Sequence, residues 1–249
     1  MTGGTFAILR RPGDGNGSPV VLLRIGHSES KPVGDATYVA PAVDGTSAWL
    51  TVGDRARRVD ARTGEVVETV TLPPGTYPVS EVRSGLVLRL RGKPNDSEIW
   101  DPKVRAVVQK IVGGAYPGND RYVVVRFASC DSECVRVLDT ENGIPETVEV
   151  FDGATELPAL SPDGKWLVGW VRDGNVLGLV AYEVGSYDFV ALRGEIPAGM
   201  ATSLAWSHDS RTLYTAVHKG TQGGILAWSP PNELLFSVSS TIADAMVVE

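Results

Sequence analysis

Repetition is the feature that most constrains this chain. Leu160–Trp170 reads LSPDGKWLVGW and Ala205–Ala216 reads AWSHDSRTLYTA, each a tight turn running into an apolar strand. The same template recurs as SAWLTVGDRARRVDARTGEVVETVTL from Ser47 and GLVLRLRGKPNDSEIWDPKVRAVVQKIV from Gly85. It returns as YVVVRFASCDSECVRVLDTENGIPETVEV from Tyr122, WLVGWVRDGNVLGLVAYEVGSYDFVAL from Trp166 and TLYTAVHKGTQGGILAWSPPNELLFSVS from Thr212. The segment from Thr5, TFAILRRPGDGNGSPVVLLRIGHSESKPV, fits it too. Each copy is an apolar strand, a polar or Gly-rich hairpin, a second apolar strand and a turn into a third.

That later turn is marked by Asp60, Asp101 and Asp139 in three copies, and by Tyr182, Ser229 and Gly26 in the others. Asp suits the place because its carboxylate accepts hydrogen bonds from backbone amides one or two residues on. From Asp60 to Ser229 the markers are spaced by 41, 38, 43 and 47 residues. Short β-branched and aromatic strands at a period of about 40, four to a unit, predict a β-propeller. No long stretch carries helical periodicity. The first copy lacks an inner strand and the C-terminal TIADAMVVE lacks partners, so the C-terminal strand is expected to complete the N-terminal blade and cover a sheet edge. The expectation is one domain over residues 1–249 with six blades: 1–34 plus 241–249, 35–75, 76–113, 114–153, 154–198 and 199–240.

The wording LSPDGKWLV and WSHDSRTLY resembles the repeats of WD40-like and TolB-type bacterial propellers. RRVDARTGEVVETVTL and VRVLDTENGIPETVEV resemble YVTN-type repeats. The resemblance covers the chain as a pattern, with specific wording in about half of it. It implies a propeller, often with an interaction role, and brings over no catalytic residues.

The composition narrows the partners. The net charge is -7 at pH 7 and the pI about 5.1, which disfavours phosphate backbones and anionic membranes. No apolar run is long enough to span a membrane, so no membrane insertion and no nucleic acid are expected. The N-terminus lacks the order of a signal peptide. As given, the chain reads as cytoplasmic; a bridge between Cys130 and Cys134, or trimming from a longer protein, makes it extracytoplasmic. The C-x3-C spacing of these two cysteines matches neither a zinc nor a redox motif, leaving two free thiols or a disulfide pinning a short hairpin.

Chemistry is sparse. His208 stands in the Pro162 place of its repeat and reads as a turn residue; His218 reads as a rim position. His27 and Glu29 share a face in an extended chain, as a solvated hairpin or a His–Glu pair. PGDGNGSP and KGTQGG lack the context of a phosphate loop, and the first lacks the downstream acid of a calcium loop. Arg55, Arg57, Arg58 and Arg62 are balanced by Asp54, Asp60 and Glu65. The six tryptophans fall in predicted strands and read as packing between blades. No cofactor and no metal site is expected.

Ligands of propellers bind where loops from different blades converge on a channel mouth. At the starts of the inner strands the template places Asp35, Tyr38, Tyr77, Tyr116, Glu156, Met200, Thr202 and Asp244. Tyrosines and acids there suit a peptide, a sugar or a cation. The leading reading is a monomeric, non-catalytic binding module for a protein, peptide or small-molecule ligand. The alternative is a lyase, cyclase or hydrolase acting in the channel mouth, since fold alone does not forbid it.

Overall fold

The computed structural model describes residues 6–11, 17–25, 27, 29–127, 134–141, 146–152, 155–186, 189–197, 201–219, 222–229, 232–239 and 245–248. Among them the regular structure is entirely β. No helix is long and apolar enough to cross a membrane.

The strands gather into four-stranded antiparallel sheets. The first contains β1 (Phe6–Arg10), β2 (Ser18–Arg24), β3 (Ser30–Ala36) and β24 (Ala245–Val248), in the order β24-β1-β2-β3. The second is β4 (Tyr38–Pro41), β5 (Ser47–Val52), β6 (Arg55–Asp60) and β7 (Val66–Thr71). The third is β8 (Thr76–Val82), β9 (Gly85–Leu90), β10 (Lys93–Asp101) and β11 (Ala106–Val112). The fourth is β12 (Gly114–Tyr116), β13 (Tyr122–Phe127), β14 (Cys134–Asp139) and β15 (Glu146–Asp152). The fifth is β16 (Thr155–Leu160), β17 (Trp166–Asp173), β18 (Val176–Glu183) and β19 (Phe189–Pro197). The sixth is β20 (Ala201–Trp206), β21 (Leu213–Lys219), β22 (Gln222–Ser229) and β23 (Asn232–Ser239).

β24 pairs antiparallel with β1, setting Val248 opposite Ala7 and Ala245 opposite Arg10. The inner strands β4, β8, β12, β16, β20 and β24 each contact the next, and β24 contacts β4.

The core explains why the second strand of each sheet, counted from β24, β4, β8, β12, β16 and β20, is largely apolar: both of its faces are buried, so polar alternation is lost. In β1, Ala7 and Leu9 join a cluster with Tyr214 and Ile225 of the sixth sheet, while Ile8, between them, joins Leu50 and Val59 of the second. The clusters between later sheets are built alike. Trp49 packs with Leu86 and Trp100; Ile99 with Val123 and Leu138; Val137 with Leu167; Trp170 with Trp206 and Trp228. Trp49, Trp170 and Trp228 are fully buried, as expected for packing between sheets.

The turn markers behave as their chemistry predicts. Asp60 Oδ1 accepts from the Arg62 and Thr63 amides, Asp101 Oδ1 from Lys103, and Asp139 Oδ1 from Glu141. Cys134 is buried and disulfide-bonded. Cys130, the other cysteine in the sequence, lies outside the described residues, as does most of PGDGNGSP.

Candidate functional site: a cavity framed by linked turns

The turns that follow the inner strands share one local design. In SPDGKW, Ser161 Oγ donates to Asp163 Oδ1 (2.6 Å) and accepts from the Trp166 amide (2.9 Å). In SHDSRT, Ser207 Oγ donates to Asp209 Oδ1 (2.7 Å) and accepts from the Thr212 amide (3.0 Å). Asp44 and Asn119 do the carboxylate's work in their own turns, each Oδ1 accepting two backbone amides. Gly45, Gly164 and Ser210 follow at positive φ, a conformation that Gly adopts without cost and Ser does not.

The turns are also tied to one another. Glu81, near the end of β8, accepts from the Val43 amide (3.0 Å) and from Trp49 Nε1 (2.9 Å) of the second sheet. Arg83 donates from its amide to the Asp120 carbonyl (2.8 Å) and from its side chain to the Asp120 carboxylate. Asn119 Nδ2 donates to the Pro162 carbonyl (3.2 Å). The Asp163 amide donates to Ser210 Oγ (2.9 Å), which accounts for a serine at that strained position. His208 lies against Gly45. One side of the molecule is thus laced from turn to turn through the second to sixth sheets.

These turns surround a cavity of about 560 Å³. Its wall is largely apolar, with Val39, Val43, Leu157, Pro158 and Leu204 among the side chains. Glu81, Asn119, Asp163, His208 and Asp209 stand around it. Leu157 has a φ of 52°, in the left-handed region that a bulky side chain avoids, at a register shift between Glu156 and Ala159. The irregularity places Leu157 and Pro158 against the cavity.

The electrostatics favour charged acids at the rim. Burial opposes ionisation of Asp44, but hydrogen bonds from Arg58, Thr46 and Ser47 outweigh it and hold the carboxyl below its ordinary range. The Ser207 hydroxyl, helped by the Arg211 amide, does the same for Asp209. Among the described residues no three His, Cys, Asp or Glu side chains gather as a metal site.

Tyr38 and Tyr77 lie at the opposite ends of their inner strands, β4 and β8. Tyr38 and Tyr77 stack with ring centroids 4.0 Å apart and planes at 13°. The Arg91 guanidinium lies 5.4 Å from the Tyr38 ring, and that of Arg89 5.4 Å from the Tyr116 ring. Burial pushes the Tyr77 phenol up, with Arg89 opposing it. Tyr116 lies at the end of β12 and also lines the cavity. Asp35 is on β3, the outermost strand of the first sheet, and exposed. Glu156 and Thr202 are described by strand position only; Met200 and Asp244 lie outside the described residues.

The fold is that of a β-propeller repeat protein. A TolB from Acinetobacter baumannii superposes with a TM-score of 0.72 at 17% identity, over 98% of this chain and 66% of that one. The chain therefore spans just under two thirds of that protein. A chain of the nidogen/laminin complex gives a TM-score of 0.70 at 10% identity, covering 98% of both. A Bacteroides fragilis protein provisionally assigned as a 6-phosphogluconolactonase gives 0.60 at 12% identity, over 100% of this chain and 98% of that one. No family model matches the sequence, and no curated protein matches it significantly.

Proposed function

We propose that this chain is a non-catalytic, monomeric binding module that receives a segment of a partner protein in the turn-side cavity. In this reading residues 1–249 form one propeller of six blades, the ring closed by β24. The succession of inner-strand contacts and the β24–β1 pairing support the closure. The observation that carries the function is the cavity itself: about 560 Å³, walled by apolar side chains and framed by turns already bonded to one another. A pre-organised concave surface binds without the ordering cost that a mobile one incurs. The fold is shared with a chain of the nidogen/laminin complex, an assembly of two proteins, which makes protein recognition a natural use of it.

The test offers purified protein a peptide digest of a bacterial extract and follows masses retained and masses consumed. Retention by the wild type, lost when Val43→Trp fills the cavity, supports the module. Consumption with appearance of a new mass, abolished by boiling, replaces it with an enzyme.

A further inference from the structure

Acids line the turn-side cavity without the cations that would neutralise them. Glu81, Asp120, Asp163 and Asp209 contribute to its wall, and no Lys or Arg does. Elsewhere in the turns acids and bases are matched: Arg121 pairs with Asp139 and Lys165 with Glu183. Asp120 is matched by Arg83, and the exposed Arg211 lies 3.9 Å from Asp209.

Glu81 and Asp163 differ. Glu81 accepts from the Val43 amide and Trp49 Nε1, and Asp163 from the Ser161 hydroxyl and the Lys165 amide. These donors are neutral, so they fix the two carboxylates in place and leave their charge uncompensated. Arg58, which feels the charge of Glu81, is itself held by Asp44 and Glu68, so three carboxylates there face one guanidinium. No other cation makes up the deficit, because the residues outside the described set include no Lys or Arg. Two cations are known by strand position only. Arg193 is on β19, the outermost strand of the fifth sheet, and Lys219 ends β21, whose start adjoins the turn.

The rest of the wall is aliphatic, with Val39, Val43, Leu157 and Leu204. Lysine and arginine combine the two matching properties: an apolar stem that packs on such a surface and a charged head that seeks carboxylates. A purely apolar occupant would take the carboxylates out of water and offer them no counter-charge, which weakens binding.

We propose that the cavity receives a lysine or arginine side chain of the partner segment. Its aliphatic stem lies along Val43 and Leu157, and its cationic head is drawn to the Glu81 and Asp163 carboxylates. This assignment rests on the reading of the cavity as the binding site and adds the chemistry of the segment: it is basic. The net charge of -7 favours its approach.

The test measures fluorescence anisotropy of rhodamine-labelled Gly-Leu-Lys-Leu-Gly with the full chain at low salt. The same peptide with norleucine in place of lysine keeps the stem and lacks the charge. Saturable binding of the lysine peptide is expected, weakened about tenfold by the norleucine exchange and by Asp163→Asn, each the loss of one charge-assisted pair. Asp163→Asn keeps an acceptor for the Ser161 hydroxyl and the Lys165 amide, so the turn is retained. Val43→Trp abolishes binding, whereas Asp96→Asn, which removes the same charge from β10 outside the cavity, leaves it unchanged. Equal losses for Asp163→Asn and Asp96→Asn overturn the proposal, because binding then follows net charge alone. Equal affinity for the lysine and norleucine peptides, both blocked by Val43→Trp, overturns it and leaves the proposed function standing. So does absence of binding while the wild type still retains digest peptides that Val43→Trp loses. Lysine-peptide binding that Val43→Trp does not affect contradicts both readings.

Discussion

A Cβ built on Gly45 would lie 1.9 Å from Nδ1 of His208, so the imidazole occupies the space a side chain would need. The two residues belong to turns of the second and sixth sheets. The first sheet lies between them, and its inner strands β24 and β1 are not consecutive, so no turn joins them there. His208 packs on Gly45 across that gap, so the turns of the sixth and second sheets are in contact. Gly45 also has a φ of 66°. Gly45→Ala is expected to cost about 2 kcal/mol in urea denaturation, from left-handed strain plus the clash. His208→Ala made in the same chain should recover part of that loss, a non-additivity of at least about 0.5 kcal/mol.

Glu81 is the single acceptor for Trp49 Nε1 and the Val43 amide. Trp49 is fully buried, so removing the acceptor strands its indole N–H. Glu81→Ala should destabilise by about 2–3 kcal/mol, and Glu81→Gln, which keeps an acceptor but not the charge, by about 1 kcal/mol. Equilibrium unfolding followed by tryptophan emission measures both.

Four carboxyls of the turns, Asp44, Asp60, Asp139 and Asp209, are held below their ordinary range. For Asp139 the largest cause is the hydrogen bond from Arg121. A depressed folded pKa means the unfolded chain takes up protons first. The stabilisation is therefore complete above the unfolded carboxyl range, about pH 4, and is lost as the pH falls through it toward the folded values. The urea midpoint should hold from pH 7 to about 5 and drop steeply below about 4, less steeply for Asp44→Asn. A midpoint unchanged down to pH 3 would contradict this.

Leu157 sets strain against contact. Leu157→Gly relieves the left-handed backbone but removes an apolar wall of the cavity and a contact with the tryptophan cluster. Stability is expected to change by no more than about 1 kcal/mol, the terms opposing one another. Partner retention should fall at least about fivefold, read by titration against the retained peptide.

The four-strand unit was readable because each strand carries its own signal. Asp60, Asp101 and Asp139 bond their own turns, and two-sided burial writes itself as runs such as FAILR and YVVVRF. Tyr38 and Tyr77 come together because they occupy the same register in neighbouring sheets, opposite Thr51 and Arg89. Tyr116 is opposite Val124, two residues past the start of β12 at Gly114. The cavity was not readable. SPDG and SHDS read as tight turns, and the bonds Asn119–Pro162 and Asp163–Ser210 link residues 43 and 47 positions apart. Such links depend on how sheets sit beside one another, which no local pattern encodes. The positive φ of Leu157 likewise has no signature in TELPAL.

The central claim is that the turn-side cavity binds a partner segment without transforming it. Calorimetric titration of a retained peptide into wild type, Val43→Trp and Arg211→Gln tests it most directly. The account predicts one site per chain, affinity reduced at least about tenfold by Val43→Trp and unchanged by Arg211→Gln, with the peptide recovered intact. Equal affinity for wild type and Val43→Trp, or recovery of a cleaved or altered peptide, would contradict it.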